Sequence, residues 1–132
     1  MSRVNLDDMA SMQRIDPSGM GRRIAEFAWQ CRQALDLVRS SDLPEEYGHA
    51  DSIVILGMGG SAIGGDLVRG LLEYECRVPI LINRDYRLPA FVNDRTLVIA
   101  SSYSGNTEEV LNALKEALER EALCLAVTTG GE

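Results

Sequence analysis

Two short loops concentrate the residues of this sequence that could do chemistry. The first, "GMGGS" at 57–61, follows the aliphatic run "IVIL" and spends three glycines and a serine in five residues. The second, "SSYSGNT" at 101–107, follows "LVIA" and brings hydroxyls from Ser102, Ser104 and Thr107. Glycines let an anion come close to backbone N–H donors, and a helix opening there adds a favourable dipole. Such a pair of loops suits a phosphate monoester, whose terminal oxygens accept many donors without a lysine, a metal or a cofactor. The same residues admit a rival. Gly57, Gly59 and Ala62 fit the dinucleotide fingerprint G-x-G-x-x-G/A, and Asp85 stands after the next apolar run, where a ribose-binding acid would be. A third reading gives the hydroxyls nothing more than helix caps.

The elements that must position these loops follow from periodicity. "SIVIL", "VPILIN", "TLVIAS" and "LCLAVT" are short, β-rich and continuously apolar, as buried strands of a parallel sheet are, and helical segments alternate with them. The clearest helix is "NTEEVLNALKEALER" at 106–120, with Val110, Leu111, Leu114, Ala117 and Leu118 on its apolar face. Glu116 and Arg120 make an i,i+4 pair, and Asn106 with Glu109 resembles a capping box. The pattern predicts an α/β fold, a three-layer doubly wound parallel sheet. In such sheets ligands sit beyond the carboxyl ends of the strands, which is where both loops fall.

Upstream, residues 20–39 carry Ile24, Phe27, Cys31, Leu35 and Val38 at helical spacing, which predicts a core-facing helix with Trp29 off the stripe. A polar leader precedes it and "SSDLPEEYGHAD" follows as a connector. The domain organisation expected is a leader, helix and connector over 1–49 and the α/β domain over 50–132.

Composition bounds the partners. The chain has 132 residues, 45% of them hydrophobic, and a net charge of −7, which disfavours nucleic acid and anionic lipid as partners. No apolar run approaches the ~20 residues of a membrane span, and the first residues lack the apolar core of a secretory signal. Cys31, Cys76 and Cys124 are odd in number and lack metal-ligand spacing, which reads as reduced thiols in a cytoplasmic protein. "AVTTGGE" ends the chain on a glycine turn after a strand, so the expectation is a domain cut short at its C-terminal edge.

The two loops together, Gly57-Met58-Gly59-Gly60-Ser61 and Ser102-Tyr103-Ser104-Gly105-Asn106-Thr107, resemble the sugar isomerase (SIS) domain. "LGMGGSAIGGDL", "PILINRDYRLP" and "SSYSGNTEE" are similar to the bacterial and archaeal bifunctional phosphoglucose/phosphomannose isomerases, from about Ala50 onward. The resemblance implies a flavodoxin-like five-stranded parallel sheet, a homodimer, and conversion of glucose 6-phosphate or mannose 6-phosphate to fructose 6-phosphate. It implies that Ser61, Ser102, Ser104 and Thr107 ligate the phosphate, and that Gly59, Gly60 and Gly105 admit the sugar to the backbone.

The proton chemistry is not in view. Aldose–ketose isomerisation needs a base to move a proton between C1 and C2. In this family a Glu and a ring-opening His from a second SIS half supply it, so the chain alone is expected to bind and hardly to turn over. His49 precedes the first strand, on the wrong edge of the sheet. Glu108 and Glu109 read as complements to a helix dipole, while Asp66, Arg84 and Asp85 either line the sugar pocket or pair on its rim. A stand-alone phosphosugar-sensing module and a nucleotide-binding oxidoreductase fragment remain as alternatives.

Overall fold

The computed structural model describes residues 7–131. The chain divides into two compact units, Met1–Asp42 and Leu43–Glu132.

The first unit holds helices α1 (Met9–Ile15) and α2 (Met20–Arg39). The leader thus contains a helix that its polarity concealed; its first six residues lie outside the described residues. The Asp8 carboxylate accepts from the Ala10 N–H at 3.1 Å and caps α1. Asp16 does the same for α2, accepting from the N–H groups of Met20 (2.8 Å) and Gly21 (2.7 Å). α2 covers the span predicted, but it buries no residue, and Ile24, Phe27, Cys31, Leu35 and Val38 are all exposed. The expectation of a core-facing helix is therefore corrected. A pair of helices offers too little apolar area to enclose a core by itself.

The second unit runs from a 3₁₀ turn (Glu45–His49) through β1 (Ser52–Leu56), α3 (Gly59–Leu72), β2 (Ile80–Asn83), β3 (Thr96–Ser102), α4 (Glu108–Glu119) and β4 (Leu123–Thr128). The four strands form one parallel sheet in the order β2-β1-β3-β4. Val54 sits beside Leu81 on one side and Val98 on the other, and Leu56 pairs with Ala100. Successive side chains of a strand face opposite sides, and the two helices use opposite sets. Gly65 of α3 lies against Ile55 and Ile82, so close that an added Cβ would stand 2.9 Å from Ile82 Cδ1. Val110, Ala113 and Ala117 of α4 pack instead with Val54, Leu56, Val98 and Ala100. Helices on both faces make the three layers that the alternating pattern predicts.

Apolar periodicity located α4 but misplaced its start. Thr107, not Asn106, is the N-cap residue, and no side chain caps the helix, so the capping box is absent. The Asn106 N–H is instead taken by Ser104 Oγ at 3.2 Å. Leu111 and Leu118 are exposed, and the buried face is made of smaller residues, Ala113 among them. Glu116 and Arg120 do pair, and they also hold the long β2–β3 connection. Glu116 accepts from the Leu88 N–H at 2.9 Å and Arg120 donates to the Pro89 carbonyl at 2.8 Å. Leu88 and Val92 of that connection complete the core. The Leu88 N–H, with the nearby Arg120, holds the Glu116 carboxyl below its ordinary pKa.

Candidate functional site

β1 and β3 are neighbours, so the loops at their carboxyl ends lie side by side. Each opens a helix whose first N–H groups have no side-chain cap. Met58, Gly60 and Ser61 from the first loop and Tyr103, Ser104 and Thr107 from the second line one open depression of about 540 Å³. A second hollow, of about 620 Å³, lies at the far end of α3 between Arg69 and the start of β2, away from these loops.

The first loop is bare. No protein atom stands within 4 Å of a Cβ added at Gly59 or Gly60, and Gly59 takes φ +50°. Ser61 is half-buried, and among the described residues its hydroxyl has no hydrogen-bond partner; its N–H bonds the Met58 carbonyl at 3.1 Å. Gly57 differs. A Cβ there would come within 3.0 Å of the Ala62 nitrogen, so this glycine lets the first turn of α3 fold back on the end of β1.

The second loop is internally bonded. Ser102, only 5% exposed, hydrogen-bonds Thr107 Oγ1 at 2.9 Å and accepts from the Gly105 N–H at 3.1 Å. It lies beneath the depression rather than along it, and leaves Ser104 and Thr107 at the surface of the site. Gly105 takes φ +73°, and a Cβ on it would overlap the Gly130 carbonyl and stand 2.7 Å from Gly131 Cα. The reading in which hydroxyls serve only as helix caps fails for Ser61 and Thr107, since neither α3 nor α4 has a side-chain cap bond.

The other candidates lie outside the depression. Asp66 pairs with Arg84 and with Arg69 (3.8 Å), and the Asp85 carbonyl accepts from Asn83 Nδ2 at 3.0 Å. Glu108 and Glu109 occupy the first turn of α4 and face Tyr86. The Glu109 charge, with partial burial and the hydrogen-bonded Glu108, pushes the Tyr86 phenol above its ordinary pKa. His49 is exposed in the turn before β1, at the opposite end of the strands. Among the described residues no group of three or more His, Cys, Asp or Glu side chains could hold a metal ion. Met58 and Tyr103 are lining residues that reading by chemistry missed; they stand inside the two motifs, and their alternation with the glycines and serines was the available signal.

Comparison with known proteins returns phosphosugar isomerases and a protein solved with a bound phosphosugar. The chain is 47% identical over 103 residues to the bifunctional phosphoglucose/phosphomannose isomerase of Caldicellulosiruptor bescii, covering 78% of this chain and 30% of that one. It is 45% identical over 106 residues to the protein of the same name from Thermoplasma volcanium, covering 80% and 34%. Among solved structures, a protein described as a phosphosugar isomerase from Salmonella typhimurium superposes with a TM-score of 0.56 at 18% identity, over 70% of this chain and 33% of that one. The Vibrio vulnificus NanR protein complexed with ManNAc-6P gives 0.58 at 21%, over 92% and 47%. The chain has the α/β fold of these two solved structures and is similar in sequence to the isomerases. It spans about a third of the length of the isomerases it matches. No family model matches it. Among the described residues no helix is long and apolar enough to cross a membrane.

Proposed function

We propose that this chain is the phosphosugar-binding SIS domain of an aldose–ketose isomerase, acting between glucose 6-phosphate or mannose 6-phosphate and fructose 6-phosphate. The observation that carries the reading is the depression itself, where the uncapped starts of α3 and α4 meet around Gly60, Ser61, Ser104 and Thr107. Helix N–H groups and hydroxyls are the donor set a phosphate monoester needs, and charge-assisted bonds of this kind are about twice as strong as neutral ones. The 47% identity to a named isomerase supports the sugar as the phosphate's carrier.

In this reading Ser61, Ser104 and Thr107 donate to the phosphate, Ser102 sets Thr107 in place from beneath, and Gly59 and Gly60 keep the first loop thin enough for the sugar to approach; Gly105 leaves that set, because the Gly130 backbone already fills the place of its side chain. The SIS domain extends over 50–132 and follows the helical segment 1–49. Proton transfer at C1 and C2 falls to groups beyond this depression, whose lining among the described residues includes no carboxylate or imidazole; the resemblance assigns it to a second SIS half. The protein works as a cytoplasmic homodimer, with no nucleic-acid or membrane partner. The net charge of −7 supports the lack of a nucleic-acid or anionic-membrane partner and the three free thiols support the cytoplasm, while the homodimer rests on the resemblance alone; burial holds the Cys124 thiol above its ordinary pKa.

Titration with fructose 6-phosphate, with inorganic phosphate as competitor and isomerase activity assayed on the same sample, tests the proposal. Saturable binding that phosphate displaces and Ser104→Ala weakens, without turnover, is the expected result. Binding that ignores both phosphate and Ser104→Ala overturns the site, and robust turnover overturns the placement of the chemistry outside the chain.

A further inference from the structure

The segment after β4 has no role in the reading above, yet it meets the second loop at several points. The Thr129 hydroxyl donates to the Tyr103 carbonyl at 2.7 Å, and the Thr129 N–H reaches the same oxygen at 3.4 Å. Gly130 and Gly131 lie over Gly105 so closely that no side chain fits there: a Cβ on Gly105 would overlap the Gly130 carbonyl oxygen and stand 2.7 Å from Gly131 Cα. The turn is closed on itself, Thr128 Oγ1 donating to the Gly130 carbonyl at 2.6 Å and accepting from its N–H at 3.2 Å. The Tyr103 carbonyl is thus fixed by one residue from the neighbouring strand, between Ser102, which is buried, and Ser104, which lines the depression.

A loop with a left-handed glycine at Gly105 has other shapes open to it, and the bonds of Ser102 alone span only residues 102–107. The contact from 128–131 comes from outside the loop and selects one shape. We infer that the Thr128–Gly131 turn braces the phosphate loop, and that Thr129 is the positioning residue through which it acts on Ser104 and Thr107. Thr129 lines no part of the depression, so its effect on ligand passes through the Tyr103 carbonyl. The inference deepens the phosphosugar reading and rests on it.

The test compares Thr129→Val, which keeps the side-chain shape and removes the donor, with Thr129→Ser, which keeps the donor. Amide hydrogen exchange on the ligand-free chain reads the brace directly. Thr129→Val is expected to speed exchange at Gly105 and Asn106 about fivefold while Thr129→Ser stays near wild type, the size expected for one lost hydrogen bond. Fructose 6-phosphate affinity then falls by a similar factor in Thr129→Val and is restored in Thr129→Ser, with the thermal midpoint little changed. Exchange that does not respond to Thr129→Val overturns the brace. Faster exchange with unaltered affinity overturns the positioning role. A wild-type chain that takes no fructose 6-phosphate overturns the phosphosugar reading and the positioning role with it, while the exchange result still decides the brace.

Discussion

The two loops that open α3 and α4 do similar chemistry on paper and are built in opposite ways. Around Gly59, Gly60 and Ser61 the chain leaves space open and, among the described residues, a hydroxyl without a hydrogen-bond partner. Around Ser102 to Thr107 internal hydrogen bonds from Ser102, Ser104 and Thr129 hold the loop, and the Gly130 turn closes over Gly105. The contrast separates two uses of glycine. In the first loop the glycines leave open space, which the proposed reading gives to a ligand; in the second, Gly105 is there because the backbone of the turn after β4 already occupies the place of a side chain. In the proposed reading the open loop and the braced one together hold donors in place before the ligand arrives, which lowers the ordering cost of binding.

Substitutions can break this contrast, beginning with the largest effect. Gly105→Ala should be the most damaging, because the new methyl overlaps the Gly130 carbonyl and φ is positive. A cost of at least 1–3 kcal/mol is expected, seen as a fall of roughly 5–15 °C in thermal midpoint together with loss of fructose 6-phosphate binding. Ser102→Ala comes next. It removes the Thr107 hydroxyl's partner and one of the two acceptors of the Gly105 N–H, leaving only the Ser102 carbonyl at 3.3 Å, and should cost about 1 kcal/mol in unfolding free energy by denaturant titration, with affinity falling in parallel.

Gly60→Ala should split the two readouts. No protein atom opposes the methyl, so stability should hold or rise by up to ~1 kcal/mol, while fructose 6-phosphate affinity drops roughly tenfold because the methyl projects into the depression. Equal losses in stability and affinity would erase the distinction between the loops. The smallest effect lies far from both. The Glu116 carboxyl is held below its ordinary pKa, so its stabilising share is complete at neutral pH and is lost as pH falls through that lowered value. Glu116→Gln should therefore lower the midpoint at pH 7 and flatten its decline on the acid side, without touching ligand affinity.

Much of this architecture was legible because burial on both faces leaves continuous apolar runs. "SIVIL" and "TLVIAS" could be little else than central strands, and β1 and β3 are where they were expected. The loops were legible as chemistry, since glycine and hydroxyls at a strand's end have few other uses. What stayed hidden depended on partners distant in sequence. Nothing in "SGNT" tells that Gly105 answers to Gly130, or that Ser102 turns inward while Ser104 faces out. Tyr47 read as part of a polar connector, yet its hydroxyl donates to the Cys124 carbonyl at 2.6 Å and ties that connector to β4. The Asn106 cap failed for a local reason, because Ser104 competes for its N–H and the helix begins two residues later than its polar pattern. Along α2 the periodicity was right and the burial wrong, since a stripe states which residues share a face and not whether anything covers it.

The proposed site turns on the Ser61 hydroxyl, which has no hydrogen-bond partner among the described residues and which the phosphosugar reading gives to the phosphate. Titrating wild type and Ser61→Ala with fructose 6-phosphate, with thermal midpoints taken on the same samples, tests it most directly. The proposal predicts that affinity falls roughly tenfold or more, as the loss of a hydrogen bond to a charged group requires, while the midpoint of the free protein stays put because no hydrogen bond of that hydroxyl among the described residues is broken. Equal affinities in the two proteins would contradict it.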